Sequence, residues 1–103
     1  MLDALCCHAQ QAAEKAIKAL LLHRGVSFPF THNLSKLVDI CAEVDPSFQT
    51  LLDTVEPLTP YAVELRYDSD FWPSEQLARE ARSAALAVRE AVLERMPAYL
   101  ADA

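Results

Sequence analysis

The sequence predicts an all-α protein: an antiparallel up-and-down bundle of about four helices, forming one domain over residues 1–103. Three observations predict it. Apolar residues return at three- and four-residue steps in long runs, and no stretch alternates strictly between apolar and polar. Gly25 is the only glycine, which disfavours glycine-turned β folds and glycine-rich phosphate loops alike. Finally, 103 residues, 52% of them hydrophobic and 23% charged, suffice for a single core but not for two.

The first element runs from Leu2 to about Arg24. Leu2, Leu5, Ala9, Ala12, Ala13, Ala16, Ile17 and Leu20 form one apolar stripe with an alanine-rich middle, where a second helix can approach closely. Gly25 is placed to end this helix in the left-handed conformation, and Pro29 keeps the following "VSFPFT" out of helix. The second helix carries Leu34, Leu37, Val38, Cys41 and Val44 inward, with Thr31 or Asn33 as its cap. Asp45-Pro46 supplies a cap and a first-turn proline for a third helix, "SFQTLLDTVEPL", burying Phe48, Leu51, Leu52 and Val55. Pro57 and Pro60 interrupt it, so "TPYAVELRYD" reads as a kinked continuation or a short separate helix. The last helix starts near Ser74, an N-cap, and runs to about Met96 before Pro97. It buries Leu77, Ala81, Ala84, Val88, Ala91 and Val92, and Glu75 and Arg79 pair on its outer face.

Composition narrows the function classes. No apolar run approaches the roughly 20 residues that span a bilayer, and no secretory signal is visible at the N-terminus. Three cysteines without a paired Cys-x-x-Cys arrangement predict free thiols in a reducing, cytoplasmic setting. Neither a zinc site nor any other cofactor is expected from their spacing. Two acids in the "RYDSD" turn, Asp68 and Asp70, are a weak magnesium signal; capping the next helix or pairing with Arg66 is their commoner use.

Charge is unevenly spread. Through Lys36, four basic residues (Lys15, Lys18, Arg24 and Lys36) meet two acids (Asp3 and Glu14), a net +2, whereas the remainder carries −8 of the total −6. His8, His23 and His32 all lie in this basic third, the part of the chain that would meet an anion. On the first helix His8, Lys15 and Leu22 recur at seven-residue steps along the edge of the alanine stripe, with Gln11 beside His8 and Lys18 further round. Such a border either keeps polar tips in water around a helix contact or holds a phosphate-bearing ligand.

The pieces "HAQQAAEKAIKALL", "THNLSKL" and "YAVELRYDSDFWPS" together resemble the HEPN domain, named for higher eukaryotes and prokaryotes nucleotide-binding. The resemblance extends from Asp3 to about Pro97. It implies a helical bundle that usually dimerises and is often encoded beside a minimal nucleotidyltransferase, in pairs resembling prokaryotic toxin–antitoxin modules. Carried over residue by residue, the family's recurring polar positions fall on His8, Gln10, Gln11, Glu14, Lys15, His32, Tyr61, Arg66 and Tyr67. Of these, His8, Gln11, Lys15, His32, Tyr61, Arg66 and Tyr67 are the expected ligand contacts: Lys15 and Arg66 for phosphates, the tyrosines for a base. The alternative for the same set is a buried hydrogen-bonded network that fixes helix packing.

Two departures from the family matter. Members usually carry a helix ahead of the "HAQQAAEK" helix, and this sequence begins inside the latter, so its alanine stripe is expected to be covered by a partner or by an upstream segment. Ribonuclease members carry Arg followed by His after four to six residues. Here Arg24 and His32 are separated by seven residues, and no histidine follows any later arginine. The expected function is a non-catalytic, dimeric HEPN protein that binds a nucleotide or a nucleotidyltransferase, without a catalytic residue. The alternatives are a metal-free ribonuclease toxin using His8 or His32 with Arg66 or Arg24, and a purely structural dimerisation module. The acidic balance counts against RNA as a partner.

Overall fold

The computed structural model describes residues 2–61 and 74–96. Four α-helices are present among them: α1 (Leu2–His23), α2 (Leu34–Val44), α3 (Leu51–Val55) and α4 (Glu75–Glu94). No strand occurs among the described residues, and no described helix is long and apolar enough to cross a membrane. The all-α bundle expected from the periodicity is what forms.

Each helix boundary has a local cause. Gly25 adopts φ +68° just beyond α1, and the Val26 N–H closes the end on the Leu21 carbonyl. Asn33 caps α2 by accepting from the Lys36 N–H, Asp45 caps the next segment by accepting from the Ser47 N–H, and Ser74 caps α4 by accepting from the Leu77 N–H. The third helix expected over residues 47–58 is not continuous. Pro46–Thr50 and Glu56–Tyr61 are 3-10 helices, and only the five residues of α3 between them are α-helical. Pro46 at the start and Pro57 and Pro60 at the end each remove a backbone donor, which leaves too short a run for a regular α-helix.

Helix α1 makes its most extensive contact with α4. Leu5, His8 and Ala9 line a groove with residues of the first half of α4, whereas Leu20, Leu21 and Arg24 border Asp45 and Phe48, the two residues that Arg95 at the end of α4 clasps. The two long helices therefore lie side by side with like ends together. The bundle is all-α as expected, but this pair is parallel rather than antiparallel. The opposite sense belongs to residues 46–61: Phe48 meets Arg95, while Asp53 and Pro57 lie against Gln76–Ala87 of α4. Ala13 of α1 and Ala78, Ala81 and Ala84 of α4 are buried, and Ala78 lines the groove with Leu5, His8 and Ala9; Ile17, Leu21, Leu37, Phe48, Val55, Leu58 and Val88 fill the core.

Four apolar positions expected inside are exposed, and four more (Ala9, Ala16, Leu52 and Ala91) are half-buried against the core. Of the exposed four, Leu5 and Leu77 are about half exposed, Val44 likewise, and Ala12 is the fourth. Each sits at the edge of its helix's apolar arc, and the arc is only as wide as the neighbours that cover it. Cys6 and Cys41 are buried as small apolar side chains, and burial pushes the Cys41 thiol up to about 11 although Arg24 pulls the other way.

Candidate functional site

Among the described residues the buried polar side chains are Gln10 and Glu14, in the middle of α1. Gln10, Glu14 and Lys18 are four residues apart and share one helix face. Gln10 Nε2 donates to Glu14 Oε1 at 3.1 Å, and Lys18 Nζ donates to Oε2 at 3.0 Å. From the loop after α1, His32 brings its Nδ1 to 2.9 Å from Oε1 and 3.1 Å from Oε2. Gln10 Nε2 also donates to the His32 carbonyl at 3.2 Å, so the loop is held by both its backbone and its ring.

Burial pushes the Glu14 carboxyl up, but the hydrogen bonds from His32, Gln10 and Lys18, together with the Lys18 charge, outweigh it and hold the group below its ordinary value. Glu14 is therefore an anion that can only accept. That fixes the histidine tautomer: Nδ1 carries the hydrogen and donates to the carboxylate, and Nε2 carries a lone pair. The His32 side chain is 41% exposed, against 11% for Glu14, so the carboxylate is an inner anchor and the imidazole an outer tip.

Two phenylalanines complete this surface. Phe30 meets the His32 ring edge-on, with centroids 5.6 Å apart at 74°. Lys18 Nζ lies 5.5 Å from the Phe30 centroid and 6.0 Å from that of Phe28. Phe28 is half-buried; Phe30 is 92% exposed, the most exposed large apolar side chain among the described residues.

The expected ligand residues do not converge. His32 is in the cluster. Lys15 is one residue past Glu14, about 100° round the helix, and points to solvent; the lysine that reaches the carboxylate is Lys18. Gln11 is half-buried, whereas its neighbour Gln10 is fully buried within this network. His8 is exposed on a different surface, the groove of about 470 Å³ that α1 forms with Glu75, Ala78, Arg79 and Arg82 of α4. Arg66 and Tyr67 lie outside the described residues, as do Asp68 and Asp70; Tyr61 closes the second 3-10 helix, but its side chain lies outside them too. No group of three or more His, Cys, Asp or Glu placed to hold a metal ion occurs among the described residues.

The sequence did carry a signal for the missed lysine. Gln10, Glu14 and Lys18 recur at four-residue steps, the spacing that lets a carboxylate take a donor from the turn on each side. The link to His32, eighteen residues away, is a tertiary fact that no local spacing encodes.

The two segments joined at Glu14 are the "HAQQAAEK" and "TH-N-L" pieces, and the comparison with known families decides what they are. The HEPN domain model matches residues 1–96. This chain belongs to the HEPN domain family. Comparison with curated proteins and with solved structures found no match. Within this HEPN domain the polar positions of the first two motifs are thus, in part, one hydrogen-bonded network: Gln10, Glu14 and His32 meet, with Lys18 added.

A second polar cluster holds the other end of the domain. Arg95 Nε donates to Asp45 Oδ2 at 3.2 Å, Nη1 to the Ala91 carbonyl at 2.7 Å, and Nη2 to Ser47 Oγ at 2.6 Å. Its guanidinium stacks over the buried Phe48 ring at 4.4 Å. The Ser47 hydroxyl and N–H both donate to Asp45 Oδ1, and with Arg95 they hold the Asp45 carboxyl below its ordinary value.

Proposed function

We propose that this HEPN domain is a non-catalytic recognition protein that binds a nucleotide, pairs with a minimal nucleotidyltransferase in a toxin–antitoxin-like module, and acts as a homodimer in the cytoplasm of a prokaryotic cell. The observation that carries the reading is the Glu14 network. A buried carboxylate orients His32 and Lys18 at the surface of the basic third of the chain, where an anionic ligand is electrostatically favoured. The non-catalytic part rests on spacing and placement. Arg24 is separated from His32 by seven residues in sequence, and it borders Cys41 and Asp45 beyond the end of α1, ten residues and about 15 Å of helix from Glu14. Half-exposed Leu5, Leu77 and Leu86 and exposed Leu22 support dimerisation, since apolar side chains of this size favour a covered state.

Calorimetry with nucleotides and co-purification with a co-expressed minimal nucleotidyltransferase test this reading. Binding to at least one is the expected outcome, and binding to neither ends it. Light scattering is expected to give twice the chain mass.

One observation favours a second reading, a metal-free ribonuclease. A histidine whose Nδ1–H is held by a carboxylate and whose Nε2 carries a lone pair is arranged as general bases are. Pure protein that cleaves RNA, with cleavage lost in His32→Ala, supports it; intact RNA at high protein concentration excludes it.

A further inference from the structure

The geometry points to a nucleoside phosphate site on the outer face of the Phe30 ring, with the base stacked on Phe30 and the phosphate received by His32 and Lys18; this deepens the nucleotide-binding reading and rests on it.

Phe30 is the feature that asks for an occupant. Phenylalanine is ordinarily among the more buried residues, yet this ring is 92% exposed in a loop between two well-packed helices. Loop placement alone does not account for that exposure, because Phe28, two residues earlier in the same loop, is packed against the core. The Phe30 ring is also held in place: His32 meets it edge-on, and Lys18 lies 5.5 Å from its centroid. A ring that is ordered yet uncovered is a stacking platform, and every nucleobase has a face to lay on it.

The groups beside it are those an anion requires. Lys18 has three ammonium hydrogens, of which one goes to Glu14, so it keeps donors for a phosphate. His32 stands beside the Phe30 ring, 41% exposed, with its Nδ1 held on the Glu14 carboxylate behind it. The aromatic ring accounts for a base, and the ammonium and imidazole account for a phosphate; together they match a nucleoside phosphate, free or at the end of a single strand. Among the described residues, no aromatic lines the α1–α4 groove at His8, and Arg79 there is already paired with Glu75 at 3.2 Å.

Phe30 is exposed enough that its removal leaves the fold intact, so it is the residue to change. Titrations of the full chain with AMP, adenosine, inorganic phosphate and a short single-stranded oligoadenylate, for the native protein and for Phe30→Ala and Phe30→Trp, test the site. AMP or the oligoadenylate is expected to bind the native chain, with affinity lowered about tenfold or more in Phe30→Ala and kept in Phe30→Trp. Adenosine and phosphate are each expected to bind less tightly than AMP. The stronger of AMP and oligoadenylate tells a free nucleotide from a strand. Equal affinity in the native chain and Phe30→Ala overturns this site and leaves nucleotide binding standing. Absence of binding by both AMP and the oligoadenylate overturns the site and the nucleotide reading together.

Discussion

The Glu14 and Arg95 clusters are built from the same parts and end in opposite states. Each joins segments far apart in sequence, each contains a carboxylate held ionised by its donors, and each sets a cation near an aromatic ring. In the Arg95 cluster the aromatic ring is covered. All three guanidinium nitrogens donate, the Ser47 hydroxyl both donates and accepts, and the Phe48 ring is buried beneath. In the Glu14 cluster the carboxylate is buried but the outer half is open: the His32 side chain is 41% exposed and Phe30 is 92% exposed. Polar density therefore does not mark a binding site by itself. An uncovered ring beside the polar groups is what sets the Glu14 cluster apart.

Substitutions break or sharpen this contrast in a definite order. Phe48→Ala is expected to cost the most, about 3–5 kcal/mol by chemical denaturation, because it empties a buried site and removes the ring beneath Arg95. It is expected to leave AMP affinity unchanged in whatever fraction remains folded. Glu14→Ala should cost about 1–3 kcal/mol, since Gln10 is then buried without a carboxylate partner while water can still reach His32 and Lys18. Unlike Phe48→Ala, it should also weaken AMP binding, as His32 loses its anchor. Such a pair of results separates a cluster that only staples from one that also presents.

Acid titration sharpens the comparison further. Glu14 and Asp45 both have carboxyls lowered in the folded state, so each stabilises the fold fully above its unfolded value, and that contribution is lost as pH falls through the folded value. Stability is expected to drop toward acid pH, with a shallower slope in Glu14→Gln than in the native chain. An unchanged slope would mean that His32, Gln10 and Lys18 do not hold the carboxylate ionised. The smallest stability effect belongs to Phe30→Ala, within about 0.5 kcal/mol of the native chain, because an exposed ring contributes little to the core.

Much of this fold was legible before any coordinates. The periodicity located α1, α2 and α4, and the caps at Asn33, Asp45 and Ser74 and the turn at Gly25 are local signals that local physics honours. Residues 46–61 were harder because three prolines and good helix formers compete within sixteen positions, and the balance settles into alternating 3-10 and α turns. The site was legible only in part. His32 could be named from its motif, but its bond to Glu14 depends on how the loop folds back along α1. Lys15 and Lys18 differ in sequence only by three positions, and the choice between them turns on which face His32 approaches. Phe30 gave no signal at all, since an exposed phenylalanine and a buried one are the same letter.

Amide and side-chain chemical-shift mapping of the isotope-labelled chain during AMP titration tests the contrast between the two clusters directly. Lys18, Phe28, Phe30 and His32 are predicted to shift in concert and to saturate with one affinity, while Asp45, Ser47 and Arg95 stay in place. Shifts centred on His8, Arg79 and Arg82, or spread evenly over both clusters, would contradict it.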